Sequence, residues 1–576
     1  MANRRDCFQN RSTLLSLLVS LIYSDIFLSW AQISTETQLT VQIISLLNES
    51  LRTSDCSHLI EASNFYAAIR SRGYFNILSK DIRSALVIKK LRYFARYIVV
   101  CLLLKRTKLV KDLVREFGQS LNDYSHVYEP EAQLEWSLVL QEIKAFIDAE
   151  SIVAIMSGPT HPDGPGKQLT LSQRLCSANI PQPLKMPTGK LFLSEVLIVG
   201  NYQRQVKFSE LTVDMYRLLQ VLEREPNEQQ QLSNQQQQQT LNVSPNHQLY
   251  GQTSNQTRSF NLLTRPTFNS QQAQGVKGSP HKYLLFRPTF SQLFLFLASG
   301  YKELPQNGVL LLYLSADGSF GHMTANGDET GYDLGGVATN QANSNSNQAY
   351  QQAKTNSSGG NQRFQYHGGS TGAPSSASSL RHSQSMHFKK LNCLHPGDLY
   401  PFTRKPLVLI VDSNNSYAFQ QMSRHFGLPL LVLMSPSEYP APFNDNTKGS
   451  LFTLFLHCPL TALCSISNII ELPETIWRQA QFYMDKFYTE LGQIILQSRL
   501  LDPSYISLCG DDFLRLLIFR FIFCFTIMRL HRLFRTCNYY PRSYPPIPEM
   551  ELLQHPVLKQ IISDLTVTLD IRTLFD

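Results

Sequence analysis

The stretch TRKPLVLIVDSNNSYAFQQMSRHFGLPLLVLMSP, Thr403–Pro436, decides how the chain is read. Leu407–Val411 is an apolar run with β-branched residues, entered from Pro406 and ended by Asp412 and a Ser/Asn cluster. Ser416 is placed to cap a helix that buries Phe419, Met422 and Phe426. Gly427 suits the position after a helix end, and Pro429 bars continuation. Leu430–Met434 is a second apolar run. Two fully apolar strands joined by one short helix predict parallel neighbours in a sheet covered on both faces.

Outward from this unit the same grammar recurs. Glu195–Val199 reads as a strand ending at Gly200, followed at helical spacing by Phe208, Leu211, Met215, Leu218, Leu219 and Leu222, with Ser209 near the helix start. Tyr283–Phe286 is a strand. Thr289 caps a helix carrying Phe290, Leu293, Phe294 and Leu297, and Val309–Leu314 is another apolar run. Strands near 195, 283, 309, 407 and 430 with helices between them predict a mostly parallel α/β sheet. Two polar tracts interrupt it. Residues 227–278 hold the run Gln235–Gln239, and residues 321–385 are rich in Ser, Gly and Asn. Neither has the side chains to build a core, so both are predicted as disordered insertions in surface loops.

The flanks read as helical. Residues 51–150 form a helical domain, starting at an N-cap near Ser54-Asp55 with Ile60, Phe65, Tyr66 and Ile69 at near-helical spacing. Leu91, Ala95, Ile98 and Leu102 stripe one side of the strongly apolar Leu86–Leu104, with Lys89, Arg92 and Arg96 opposite. Leu109–Leu121 and Leu134–Ile147 continue the pattern, and short connections make antiparallel neighbours. A Pro/Gly/Gln-rich linker covers 151–190, the α/β domain 191–470, and a helical region 471–576. In the last, Ile476, Trp477, Ala480, Tyr483, Met484, Phe487 and Leu491 make one face. Phe513–Leu533 is apolar nearly all round and should lie inside, with Arg520 paired to a carboxylate from elsewhere. The segment 541–548, PRSYPPIP, reads as an extended connector. The fold class is therefore mixed α/β and α+β: helical domain, central sheet, C-terminal helical layer.

Composition limits the function classes. Net charge is 52 − 44 = +8 over 576 residues, with no Lys/Arg block that would track DNA, so direct sequence-specific nucleic-acid binding is not expected. Ten scattered cysteines form no CxxC pair, which argues for reduced thiols in an intracellular protein rather than a zinc site. Three stretches imitate membrane segments. Leu14–Tyr23 follows Arg4, Arg5 and Arg11, with Ser29-Trp30-Ala31 resembling a cleavage site; the competing reading is an amphipathic or variant N-terminus. Leu451–Ile470 is broken by His457 and Pro459, and Phe513–Leu530 carries Arg515, Arg520 and Arg529. Each central arginine costs about 2.5–3.5 kcal/mol in a bilayer, so membrane association is a disfavoured alternative.

Candidate chemistry centres on Asp412-Ser413-Asn414-Asn415-Ser416, at the carboxyl end of a predicted parallel strand where open α/β sheets bind ligands. The run approximates an Asp-x-Ser-x-Ser metal loop able to hold Mg²⁺; an Asx-type turn explains it more simply. Gly200-Asn201-Tyr202 is neither GxGxxG nor a P-loop, and no GxSxG elbow exists. His457-Cys458 are adjacent and so point apart; His395 and His425 read as capping or packing residues. No catalytic, cofactor-binding or metal residue is assigned, and no enzyme activity is expected.

Several segments carry a family resemblance. They are IKKLRYFARYIVVCLLL (88–104), VKFSELTVDMYRLLQVLEREP (206–226), HKYLLFRPTFSQL (281–293), LHPGDLYPFTRKPLVLIVDS (394–413), GSLFTLFLHCPL (449–460), DDFLRLLIFRFIF (511–523) and NYYPRSYPPIP (538–548). Together they resemble the SCAI family, named for suppression of cancer cell invasion. The resemblance implies a nuclear corepressor with a cytoplasmic pool. It would act by protein contact on the myocardin-related transcription factor and serum response factor complex, downstream of Rho and actin in cell migration. It also implies ties to DNA double-strand-break repair proteins. Residues 1–50 depart from the family's longer helical N-terminus, and both polar insertions are longer than the family leads one to expect. No partner-binding motif carries over residue by residue. The basic residues Lys89, Lys90, Arg92, Arg96, Lys105 and Arg106 are the first candidates for an acidic partner segment. The competing class is a nucleotide- or metal-binding protein using the Asp412 strand end.

Overall fold

The structure, a computed structural model, describes residues 45–47, 50, 56–73, 84–125, 130–150, 152–159, 164–170, 172–176, 179–182, 184, 191–202, 205–208, 210–225, 280–321, 331–340, 392–444 and 446–576. Residues 1–44, the expected cap Ser54-Asp55 and the whole of 227–278 lie outside these.

Among the described residues, the N-terminal part carries the helices α1 (Ser57–Ser71), α2 (Ser84–Leu103), α3 (Thr107–Ser125) and α4 (Pro130–Glu150). The expected stripe Leu91, Ala95, Ile98 and Leu102 is buried. Short strands β1 (Ala154–Met156) and β2 (Gln168–Leu169) follow, then the central β3 (Phe192–Asn201). A two-strand hairpin, β4 (Lys207–Phe208) and β5 (Leu211–Thr212), leads into α5 (Val213–Leu222). That helix starts three residues later than a cap at Ser209 would set it; its cap is Thr212, whose hydroxyl accepts from Met215 N.

Next come β6 (His281–Phe286), α6 (Phe290–Glu303) and β7 (Gly308–Ala316). Thr289 caps α6 as expected, and Gln292 closes a reciprocal capping box. β8 (Gly318–Phe320), β9 (Gly335–Ala338) and β10 (Cys393–Leu394) form a small antiparallel sheet. β9 lies within 321–385, where the polar composition hid it; apart from 321 and 331–340, that tract is outside the described residues. β11 (Leu407–Asp412) and β12 (Leu430–Met434) complete the parallel set. Between them the expected helix is only a 3-10 turn, Ser416–Phe419. Phe419 and Met422 are buried, but Phe426 is 45% exposed, because the short turn never carries it back to the sheet.

The chain closes with α7 (Leu451–His457), α8 (Pro459–Ile466), β13 (Glu471–Pro473), α9 (Glu474–Gln497), α10 (Pro503–Leu508), α11 (Asp512–Leu530), β14 (Arg542–Tyr544) and α12 (Pro556–Thr568). No helix among the described residues is long and apolar enough to cross a membrane. α11 is buried from Phe513 to Met528. Among the described residues Arg520 meets no carboxylate: it donates to the carbonyls of Leu456, at 3.0 Å, and His457, at 2.5 Å. Free carbonyls at the end of α7 satisfy it in place of the expected acid, since a helix terminus offers partial negative charge. Arg515 is held by Asp512 at 2.9 Å and by the Pro181 and Cys509 carbonyls.

The main sheet runs β14-β12-β11-β7-β3-β6. Taking its five parallel strands in chain order gives 2-1-3-4-5, the flavodoxin-like order. The sixth, β14, is antiparallel to β12 and was hidden in the proline-rich segment expected to be a connector. Alternation along the strands splits the core. Val309, Leu311, Tyr313, Val408 and Ile410 face α5, α7 and α11, while Leu310, Leu312, Leu314, Leu409 and Val411 face α6. The N-terminal helices share the first of these clusters. Tyr216 on α5 donates to the Leu102 carbonyl at 2.6 Å, and its ring meets Phe146 edge-on.

Candidate functional site at the carboxyl edge of the sheet

A doubly wound sheet offers a ligand crevice where its strand order reverses, here between the carboxyl ends of β3 and β7. Asn201, Ser315 and Asp412 stand at the carboxyl ends of β3, β7 and β11, Ser435 follows β12, and all four are buried. Asp214, in the first turn of α5, points into the same volume.

The two aspartates are engaged by the protein itself. Asp214 accepts from the Ser450 backbone N–H at 2.9 Å, from Ser315 Oγ at 3.2 Å and from the Gln205 side-chain amide, with Arg217 at 3.7 Å. Asp412 accepts from the Thr453 hydroxyl at 2.6 Å, which in turn lies 2.7 Å from the Tyr313 hydroxyl. Burial lifts the Asp412 carboxyl to about 7, and the charge of Asp214 pushes the same way against the neighbouring hydroxyls. Burial also raises Asp214, opposed by Arg217 and its hydrogen-bond donors. Charge is disfavoured in both because desolvation outweighs the donors supplied.

The crevice above them is filled. A Cβ at Gly200 would meet Met215 Sδ at 2.1 Å. Gly449 has φ +84°, and a Cβ there would meet Asp214 Oδ1 at 2.6 Å. The Tyr202 hydroxyl donates to the Asp412 carbonyl at 2.8 Å, and Asn201 reaches across to the Ala338 carbonyl at 2.7 Å. The small β8-β9-β10 sheet is sewn on by the 413–416 loop. Asn415 Nδ2 donates to the carbonyls of Ser319, Leu334 and Gly336, and Asn414 Oδ1 accepts from Gly318 N at 2.7 Å. Ser413 and Ser416 bond to Ser435. The residues that resembled a metal loop serve as the stitching of a turn.

The other sequence candidates are not brought together. Cys458 Sγ lies 2.9 Å from Thr461 Oγ1. His457 is held well below the ordinary imidazole range by burial first, then by Lys105, Arg217 and Arg520. His395 donates its backbone N–H to Asp398, and His425 packs edge-on against Tyr400. Sequence reasoning missed Asp214, Arg217, Ser450 and Thr453. The available signal was a charge pair at i, i+3 inside an otherwise apolar helix; all ten residues of α5 are buried.

The proposed basic face is redistributed. Lys105 pairs with Glu150 and lies over the Tyr216 ring, Arg106 donates to Ser63, and Arg96 is half-buried. Lys89 and Arg92 are exposed. α3 adds exposed Lys108, Lys111 and Arg115 at i, i+3 and i+7, a spacing that was readable. Beside it a cavity of about 430 Å³ is lined by Asn64, Ala67, Arg70, Tyr97, Arg106 and Leu109.

Fold and site together define a doubly wound α/β protein, flanked by helices, whose ligand edge is closed by its own side chains. No solved structure gives a significant match. A family model described as Protein SCAI matches residues 45–534, and the chain belongs to that family. It is 41% identical to human Protein SCAI over 529 residues, 91% of this chain and 76% of the human protein. The mouse protein matches at 41% over the same shares, and a Dictyostelium discoideum SCAI homolog at 32%, covering 90% of this chain and 80% of its own length.

Proposed function

We propose that this protein is a nuclear transcriptional corepressor that works by protein contact on the myocardin-related factor and serum response factor pathway. The observation that carries the reading is family membership across residues 45–534. The closed carboxyl edge supports it, since the crevice that a small ligand would use is occupied by the protein's own side chains.

The helical layer is the contact surface. Lys108, Lys111 and Arg115 form an exposed basic stripe, and the adjacent cavity brings Arg70, Arg106 and Tyr97 together. Such a surface fits an acidic, amphipathic partner helix. On α4, Leu134 and Leu138 are 64% and 52% exposed, one helical turn apart.

Removing 51–150 would strip the shared core from α5, so charge reversal is the cleaner test. In a reporter driven by serum response factor, the wild-type chain should lower output. Lys108→Glu with Lys111→Glu should restore most of it while the melting temperature stays put. Full repression by the double variant would move the surface elsewhere. No repression by wild type, together with nucleotide turnover by the purified protein, would replace the reading with an enzyme.

A further inference from the structure

We infer that the opposite, amino edge of the main sheet holds a divalent-cation site made by Glu195, His281 and Glu303. One ligand atom from each lies within 4.8 Å of the other two. The three come from β3, β6 and the last turn of α6, so the cluster is built by the tertiary fold.

Local structure aims them. β3 carries a bulge between Leu193 and Glu195. Leu193 faces the α5 side of the sheet with Val196 and Ile198, so the extra residue shifts the alternation and turns Glu195 to the α6 side. There its Oε2 lies 3.7 Å from where a Cβ on Gly300 would stand, one turn before Glu303. His281 is the register partner of Glu195 on β6, and its Nδ1 is 2.8 Å from Glu195 Oε1.

Two features set this cluster apart from an ordinary surface ion pair. The Glu195 side chain is 4% exposed, yet its Oε2 has no hydrogen-bond partner among the described residues. A buried carboxylate oxygen in that state calls for an ion or water. In addition, a second carboxylate, Glu303, converges on the first, and two like charges at this spacing repel unless a cation sits between them. With metal–ligand bonds of about 2.0–2.2 Å, tetrahedral ligand atoms stand roughly 3.4 Å apart, inside the span seen here. Glu303 is exposed, so its side chain can close the last ångström and water can take the fourth position. One imidazole with two carboxylates suits zinc or manganese. The cation would tie the edge strand β6 to β3 and α6 where the chain re-enters the sheet after the Gln/Asn-rich tract.

The full-length chain, stripped with EDTA and desalted, should be titrated with ZnCl₂ by calorimetry and its bound metal counted by mass spectrometry. About one equivalent should bind and raise the melting temperature. Glu303→Gln and His281→Gln should each weaken binding by about tenfold or more, with unchanged circular dichroism. A Co²⁺-loaded sample should show an oxygen/nitrogen ligand spectrum. Wild-type affinity in both variants, a thiolate-to-cobalt band, or no uptake of Zn²⁺ or Mn²⁺ by wild type would each overturn the site.

Discussion

The two ends of one sheet treat buried acid in opposite ways. At the carboxyl edge, Asp214 and Asp412 sit among donors from five surrounding segments: the 205 loop, α5, β7, Ser450 and α7. At the amino edge, Glu195 holds His281 at 2.8 Å through one oxygen, and its other oxygen has no hydrogen-bond partner among the described residues. The first arrangement is self-sufficient and holds the layers together. The second is incomplete as protein alone. A buried carboxylate is thus a structural or a ligand-binding feature according to the donors the fold brings to it, which residue type alone does not reveal.

The contrast can be broken first at the closed edge. Asp214→Ala should destabilise the protein by about 3–5 kcal/mol in urea unfolding, because Arg217 is left buried without its counter-charge. Arg520→Leu comes next. It should cost about 2–4 kcal/mol, since the Leu456 and His457 carbonyls lose their donor and α7, which delivers Thr453 to Asp412, loses its anchor.

Asp412 gives a pH signature. Its folded value of about 7 lies above the roughly 4 of an unfolded aspartate. Between those values the folded state keeps a proton that the unfolded state has released, so stability is lost as pH rises through the window. Melting temperatures from pH 4 to 8 should fall less steeply for Asp412→Asn than for wild type. An equal slope would mean that Asp412 is ionised in the fold. The smallest effect belongs to the open edge: without metal, Glu303→Gln should change stability by no more than about 0.5 kcal/mol. A loss comparable to that of Asp214→Ala would erase the distinction between the edges.

Much of the architecture was legible because local pattern and global fold agree. The five parallel strands are built on apolar runs, broken at the amino ends of β3 and β6 by Ser194-Glu195 and His281-Lys282, Thr289 and Gln292 spell out a capping box, and α11 is apolar nearly all round because its sides are buried. Reading failed where a segment's state depends on distant partners. The 416–426 segment has helical spacing but forms only a short turn, since the loop is used to sew on β8-β9-β10. β14 hid in a proline-rich segment because an edge strand needs only one hydrogen-bonded side, which proline tolerates.

The sequence by itself determined most of the elements, the parallel set of strands and the family, since these rest on periodicity and on long ordered matches. Only the tertiary structure decided which charges meet. Asp214 and Asp412 are 198 positions apart, as the numbers show, and Glu195 and Glu303 are 108. Arg520 finds carbonyls, not an acid, because the end of α7 lies against it. Hydrophobic pattern is a local property of the chain, whereas electrostatic pairing is a property of the packed molecule.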